Sequence, residues 1–214
     1  MKKLFVITIF WGFLFAGDEK INDYFGTNSG KTYGAFFGIN ASSVFGSNTK
    51  NIIYKAGLVG GICIVRNISD NLHLRLGLYY ISRGYKTSRI KDTDYLKKTH
   101  RYYFITEYLD FPILLQFYMP VNNIEMNWVF GFAPSLTLST KQKTKIDGKV
   151  ISTSYTDKNR LLDINIIVGM NKMLNQHFNL DFRASAGLLP INPKTDFLDG
   201  KRNISFVLSL GYFL

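Results

Sequence analysis

Six ionisable side chains stand out for their position in the local pattern: Arg75, Arg83, Asp110, Asp163, Asp181 and Arg183 each fall on the polar side of a segment whose other side is apolar. If those polar sides share one interior, three cations and three anions meet there, and the chemistry open to them is an ion or proton path or an ion-paired filling. Leaving a charge buried without a partner costs several kcal/mol, so the expectation is a network of paired charges. Three histidines are present, His73, His100 and His177. His100, with Asp94 and Ser88, could imitate an acid, base and nucleophile set at a rim. The other two lie beside short turns at the opposite end. The chain has no His-Glu-x-x-His spacing, no phosphate-cradling glycine loop and no nucleophile elbow, so nothing points to a catalytic residue, a cofactor site or a metal site.

A third group is basic. Lys86, Arg89, Lys91, Lys97, Lys98 and Arg101 cluster in one connection, and Lys141, Lys143, Lys145, Lys149 and Lys158 in another. They carry much of the formal charge of +11. Beside a membrane such residues meet anionic headgroups at about 1 kcal/mol each. Lys86, Arg89, Lys91, Lys97, Lys98, Lys141, Lys143 and Lys145 are the candidates for contact with lipid phosphate. A pI near 9.6 would also suit nucleic acid, but export and the confinement of the charge to connections argue against that partner.

The elements that would position these groups follow from period-two alternation. Phe178, Leu180, Phe182, Ala184, Ala186 and Leu188 alternate with Asn179, Asp181, Arg183, Ser185 and Gly187. Ile204, Phe206, Leu208, Leu210, Tyr212 and Leu214 alternate with Ser205, Val207, Ser209, Gly211 and Phe213. Similar runs start at Leu72, Met126 and Leu162, and weaker ones cover 33–41, 56–66 and 102–119. Each is about the length a tilted transmembrane strand requires. Eight strands result, with a bulge expected at Pro112, which removes one ladder donor.

The connections alternate between short turns (67–71, 120–123, 175–176) and long polar stretches (42–54, 86–101, 139–159, 190–201). Short turns on one side and long loops on the other are the pattern of outer-membrane barrels. Lipid offers backbone N–H and C=O groups no partner, so such a sheet must close. The fold class is therefore all-β: an eight-stranded antiparallel up-and-down transmembrane β-barrel, with a lumen just wide enough to be filled by side chains.

The N-terminus reads Met1-Lys2-Lys3, an apolar run from Leu4 to Phe15, then Ala16-Gly17 before Asp18. That is the order of a cleavable secretory signal peptide. The organisation expected is 1–17 signal peptide, 18–31 a short periplasmic segment and 32–214 the barrel, in the outer membrane of a Gram-negative bacterium with both termini periplasmic. Cys63 is the single cysteine, so no intramolecular disulfide forms, and its expected role is that of a small buried hydrophobe. Aromatics at 15%, among them Tyr33, Tyr80, Tyr102, Tyr103, Tyr118, Trp128 and Tyr212, suit interfacial girdles.

The run Glu107-Tyr108-Leu109-Asp110-Phe111-Pro112-Ile113-Leu114-Leu115, with the strands 178–188 and 203–213, resembles the PorT-like outer-membrane β-barrel domain family from about Lys31 onward. The resemblance implies the fold, insertion by the barrel-assembly machinery and, for some members, a link to protein secretion; it implies no particular activity. Members usually end in Phe, whereas Leu214 follows Phe213 here. The function expected is a non-enzymatic anchor whose basic outer loops contact outer-membrane lipid or an envelope or secretion protein partner. The rival readings are an enzyme acting on lipid or peptide at the outer rim, and a soluble lipocalin-like barrel with its apolar side inward.

Overall fold

The computed structural model describes residues 31–46, 49, 51–88, 90–91, 99–119, 125–146, 149–155, 161–191 and 200–214. The expected signal peptide and all of the 18–31 segment but Lys31 lie outside them. Strands run β1 Lys31–Phe45, β2 Ile52–Ser69, β3 Leu72–Thr87, β4 Ile90–Lys91, β5 Thr99–Asp110, β6 Ile113–Tyr118, β7 Asn127–Ile146, β8 Lys149–Tyr155, β9 Leu162–Met173, β10 Phe178–Gly187 and β11 Arg202–Phe213. β5 and β6 form one stave, while β4 and β8 pair outside the ring, with β5 and β7. Eight antiparallel staves remain. β1 pairs with β2 on one side and with β11 on the other, from Gly34↔Phe213 to Phe45↔Arg202, so the sheet closes on itself.

The alternation points outward as lipid requires. Phe37 (63% exposed), Ile39, Leu58, Ile62, Ile166 and Leu210 face away from the axis, while Arg75, Asp181 and Asn165 are almost wholly buried. A soluble lipocalin-like barrel would show the reverse. Along β5 and β6 the outward face runs Leu109, Phe111, Ile113, Leu115 and Phe117, and Glu107 stands directly above it. Tyr80 pairs with Leu109 just below that polar edge, and Tyr33, Trp128 and Tyr212 mark the opposite one, the two positions where amphipathic rings sit best.

The lumen is packed in layers: Phe36, Cys63, Val65, Tyr79, Met173 and Phe213 toward the end bearing the C-terminus, then Leu114, Val129, Ala133 and Ile167, then Val59, Ile81, Tyr108 and Val207, with Val44, Tyr85, Phe104 and Ile191 near the other end. Among the described residues this filling leaves a cavity of about 20 Å³ beside Arg83, Asp110 and Arg183, room for about one water.

Two expectations need correction. The bulge expected at Pro112 is absent there: Leu76↔Ile113 and Tyr79↔Asp110 keep one register across it, as do Ile113↔Phe132 and Asp110↔Ser135. The irregularity lies at Glu107/Tyr108, opposite Ser139 and Thr137, where Leu138 is the extra residue of β7. What interrupts the stave is a pair of prolines. Pro112 accepts from Gly77 N–H (3.1 Å) and Pro134 accepts from Phe111 N–H (2.8 Å), but neither proline can donate in return.

The long polar stretches 42–54, 86–101 and 139–159 also carry strand among their described residues, since β1, β2, β3, β5 and β7 run into them, β4 pairs with β5 and β8 completes a hairpin with β7. Above the apolar belt neither face needs to be greasy, so pairing continues after alternation has vanished. The base of the 190–201 connection is closed by Ile191 N–H donating to the Lys201 carbonyl at 2.9 Å.

Candidate functional site

The six lumen charges come from four different staves, and the curl of the sheet gathers five of them into two groups. In one, Arg75 on β3 donates from Nη1 to Oδ2 of Asp181 on β10 at 2.6 Å, and Arg183 Nε stands 2.7 Å from the other oxygen of Asp181. The Arg75 guanidinium lies 4.7 Å from the Phe36 ring centre, and that of Arg183 lies 4.9 Å from Tyr79 and 5.3 Å from Phe36. Two cations therefore share one carboxylate, and the faces of two aromatic rings supply the remaining negative potential. In the other group Arg83 and Asp110 form a bidentate pair, Nη2–Oδ2 2.5 Å and Nη1–Oδ1 3.2 Å, with Arg83 5.1 Å from the Tyr108 ring.

Among the described residues Asp163 has no direct ion-pair partner. Its Oδ1 accepts from Ile164 N–H at 2.8 Å and its Oδ2 from Asn203 Nδ2 at 3.4 Å, while Asn203 also donates to the Tyr108 hydroxyl at 3.0 Å. Asn203 and Tyr108 were not among the sequence candidates, for polar residues of that kind line every strand of such a lumen. Lys55 is another addition: it is buried, and its Nζ donates to Ser82 Oγ at 3.1 Å. Its parity with Gly57, Val59 and Cys63 was the signal that could have found it.

The basic candidates divide. Arg89, Lys97 and Lys98 lie outside the described residues, and Lys91 is placed by backbone alone in β4, opposite Thr99. The others fall into a pattern set by the β3–β5–β7 register, with Lys86↔Tyr103↔Lys143 in one row, Arg101↔Lys145 in the next, and Ile105↔Lys141 below. Opposed residues share a face of a sheet, and this face is the outward one, continuous with Leu109 and Phe111 beneath. The lysines thus recur about 7 Å apart along β7, just above the apolar belt.

At the junction Lys141 Nζ donates to Glu107 Oε1 at 3.2 Å, and Ser139 donates to Oε2 at 2.8 Å. Lys145 Nζ stands 5.1 Å from the Tyr103 ring centre, and Arg101 Nη1 donates to the Tyr103 hydroxyl at 3.5 Å. The charge of this wall suits it to anions. His100 pairs across to Ile90 and Ile146 within the sheet, Ser88 follows the end of β3 with its N–H on the Asn51 carbonyl, and Asp94 lies outside the described residues. His73 Nδ1 is 2.8 Å from Asn67 Oδ1, joining β3 to β2, and His177 Nδ1 is 3.0 Å from the Phe213 carbonyl, tying a turn to β11.

A closed ring of eight staves, apolar outside and ion-paired within, is what the family comparison then matches: the outer membrane protein beta-barrel domain, over residues 25–192. The chain belongs to that family. Its place is accordingly the outer membrane of a Gram-negative bacterium. A comparison with curated proteins finds no match. Among solved structures the chain is similar to Ail, the attachment invasion locus protein of Yersinia pestis in complex with the heparin analogue sucrose octasulfate, at 11% identity over 86% of this chain and 99% of that one, TM-score 0.44. It is also similar to Neisserial surface protein A, at 13% identity over 86% and 98%, TM-score 0.44. A third is OprG of Pseudomonas aeruginosa, at 14% identity over 90% and 99%, TM-score 0.40.

Proposed function

We propose that this barrel is a non-enzymatic anchor whose hairpin end faces the cell exterior and whose basic wall holds the phosphates of outer-leaflet lipid. One observation carries the reading: Lys141, Lys143, Lys145, Lys86 and Arg101 share the outward face of a sheet whose lower half is the apolar belt. A lipid whose chains lie along Leu109, Phe111 and Leu136 would bring its headgroup to their level. Both termini are then periplasmic. The same wall could seat an acidic surface of an envelope or secretion protein, as the likeness to PorT-like barrels suggests, with lipid as the primary contact.

The test is a Lys141→Gln/Lys143→Gln/Lys145→Gln variant, purified in detergent and titrated with lipopolysaccharide. Wild type is expected to gain heat resistance and the variant to gain much less. Equal gains in both would overturn the reading. For the rival enzymatic reading, His100→Ala should leave lipid A composition and peptide cleavage unchanged in cells; altered products would favour an enzyme instead.

A further inference from the structure

At the end of the barrel away from the hairpins, the outward wall of β11, β1, β2 and β3 carries an apolar groove of about 700 Å³. This is within the roughly 300–1,000 Å³ range of sites that hold small ligands. Its bed is Ala35, the small member of the row Ala35↔Ile62↔Leu78, and Ala35 also pairs with Tyr212. Tyr33, Ile64, Leu76 and Leu214 rise around it. A row of large residues would have levelled this wall, as Phe130 and Phe132 do on β7.

One row further toward the barrel end the same two strands place Lys31 directly opposite Arg66. Both share parity with the groove residues, both are exposed, and neither has an ion-pair partner among the described residues. Like charges set opposite each other across a strand pair repel. The arrangement becomes favourable when an anion lies between them. That row is about 7 Å below Tyr33 and Ile64, so a phosphate held by Lys31 and Arg66 has the groove directly above it.

We infer that this groove is a binding site for one anionic glycerophospholipid, with its phosphate between Lys31 and Arg66 and an acyl chain lying over Ala35. The charge complementarity of two unpaired cations selects the headgroup, and the depth over Ala35 selects a chain over a flat lipid contact. The site does not use the basic hairpin wall. Its assignment to the periplasmic leaflet rests on the orientation proposed above; its chemistry does not.

The test uses the purified full-length barrel in detergent, with native mass spectrometry reading retained lipid as phosphatidylglycerol or phosphatidylcholine is titrated in. Wild type is expected to retain phosphatidylglycerol selectively. Lys31→Gln and Arg66→Gln should each weaken that retention about five-fold, the effect of one basic group beside an anionic headgroup, and Ala35→Phe should abolish it by filling the bed. Lys172→Gln removes an outward cation on β9, away from the groove, and should change nothing. Heat-modifiable gel migration checks that each variant is a folded barrel. Equal retention of the two lipids, equal weakening by Lys172→Gln, or a dimer that Ala35→Phe disperses would each overturn the assignment, the last in favour of a second copy of the chain.

Discussion

Arg83 and Asp110 meet through both nitrogens and both oxygens, at 2.5 and 3.2 Å, although the pair spans two staves and both side chains are almost wholly buried. Asp110 stands two residues before Pro112, and Ser135, opposite it, follows Pro134.

Removing one member should therefore be costly. Asp110→Ala leaves the Arg83 guanidinium buried and unpaired, and a loss of about 3–5 kcal/mol is expected. Replacing both, Arg83→Leu/Asp110→Leu, should recover most of it. Urea midpoints of the folded-to-unfolded shift on gels measure this; additive losses would show that the pair is not a unit.

Asp181 serves two cations, so its loss should exceed the loss of either. Asp181→Asn strands Arg75 and Arg183 together, whereas Arg183→Gln leaves the 2.6 Å Arg75–Asp181 pair intact. The same unfolding assay should rank Asp181→Asn clearly below Arg183→Gln.

Pro112→Ala is expected to keep the barrel and hold or raise its stability, by up to about 1.5 kcal/mol. The register is unbroken at this residue, and alanine restores the N–H that Gly77, opposite, can accept. A destabilised variant would mean that the proline ring itself packs the lumen in a way alanine cannot replace.

Gly84→Ala should fail. Gly84 has φ +141, and a Cβ there would sit 2.0 Å from the Phe104 carbonyl oxygen. Backbone strain of this kind costs about 1–3 kcal/mol before any clash is relieved. Loss of the heat-modifiable form would be the readout.

Tyr108→Phe removes the hydroxyl that accepts from Asn203 at 3.0 Å. A net loss of about 1 kcal/mol is expected, with the barrel otherwise unchanged. A loss near that of Asp110→Ala would place Tyr108 inside the Arg83 pair energetically.

Some of this could be read from the chain and some could not. Strict alternation such as Phe178 to Leu188 fixes which side chains face lipid and which face the lumen, because a strand's period of two leaves no choice once one face must be apolar. The same logic marked Arg75, Arg83, Asp110, Asp163, Asp181 and Arg183 as lumen residues. It failed for Lys141 to Ile146 and for β8, where both faces are polar and the period carries no contrast. It also misplaced the bulge, since Pro112 signals a missing donor but the extra residue is Leu138.

Parity is a property of one strand, whereas partnership depends on the stagger between strands. That Arg75 finds Asp181, 106 positions away, that Asp163 rests on Asn203, and that Lys31 comes to face Arg66 are consequences of register and of the tilt required to close eight staves. The sequence by itself therefore determined the fold class and the direction of each strand residue, through the hydrocarbon's demand for one apolar face. Only the closed tertiary structure decided which charges neutralise each other and which cations come to stand side by side, because that is settled by the heights at which different strands align.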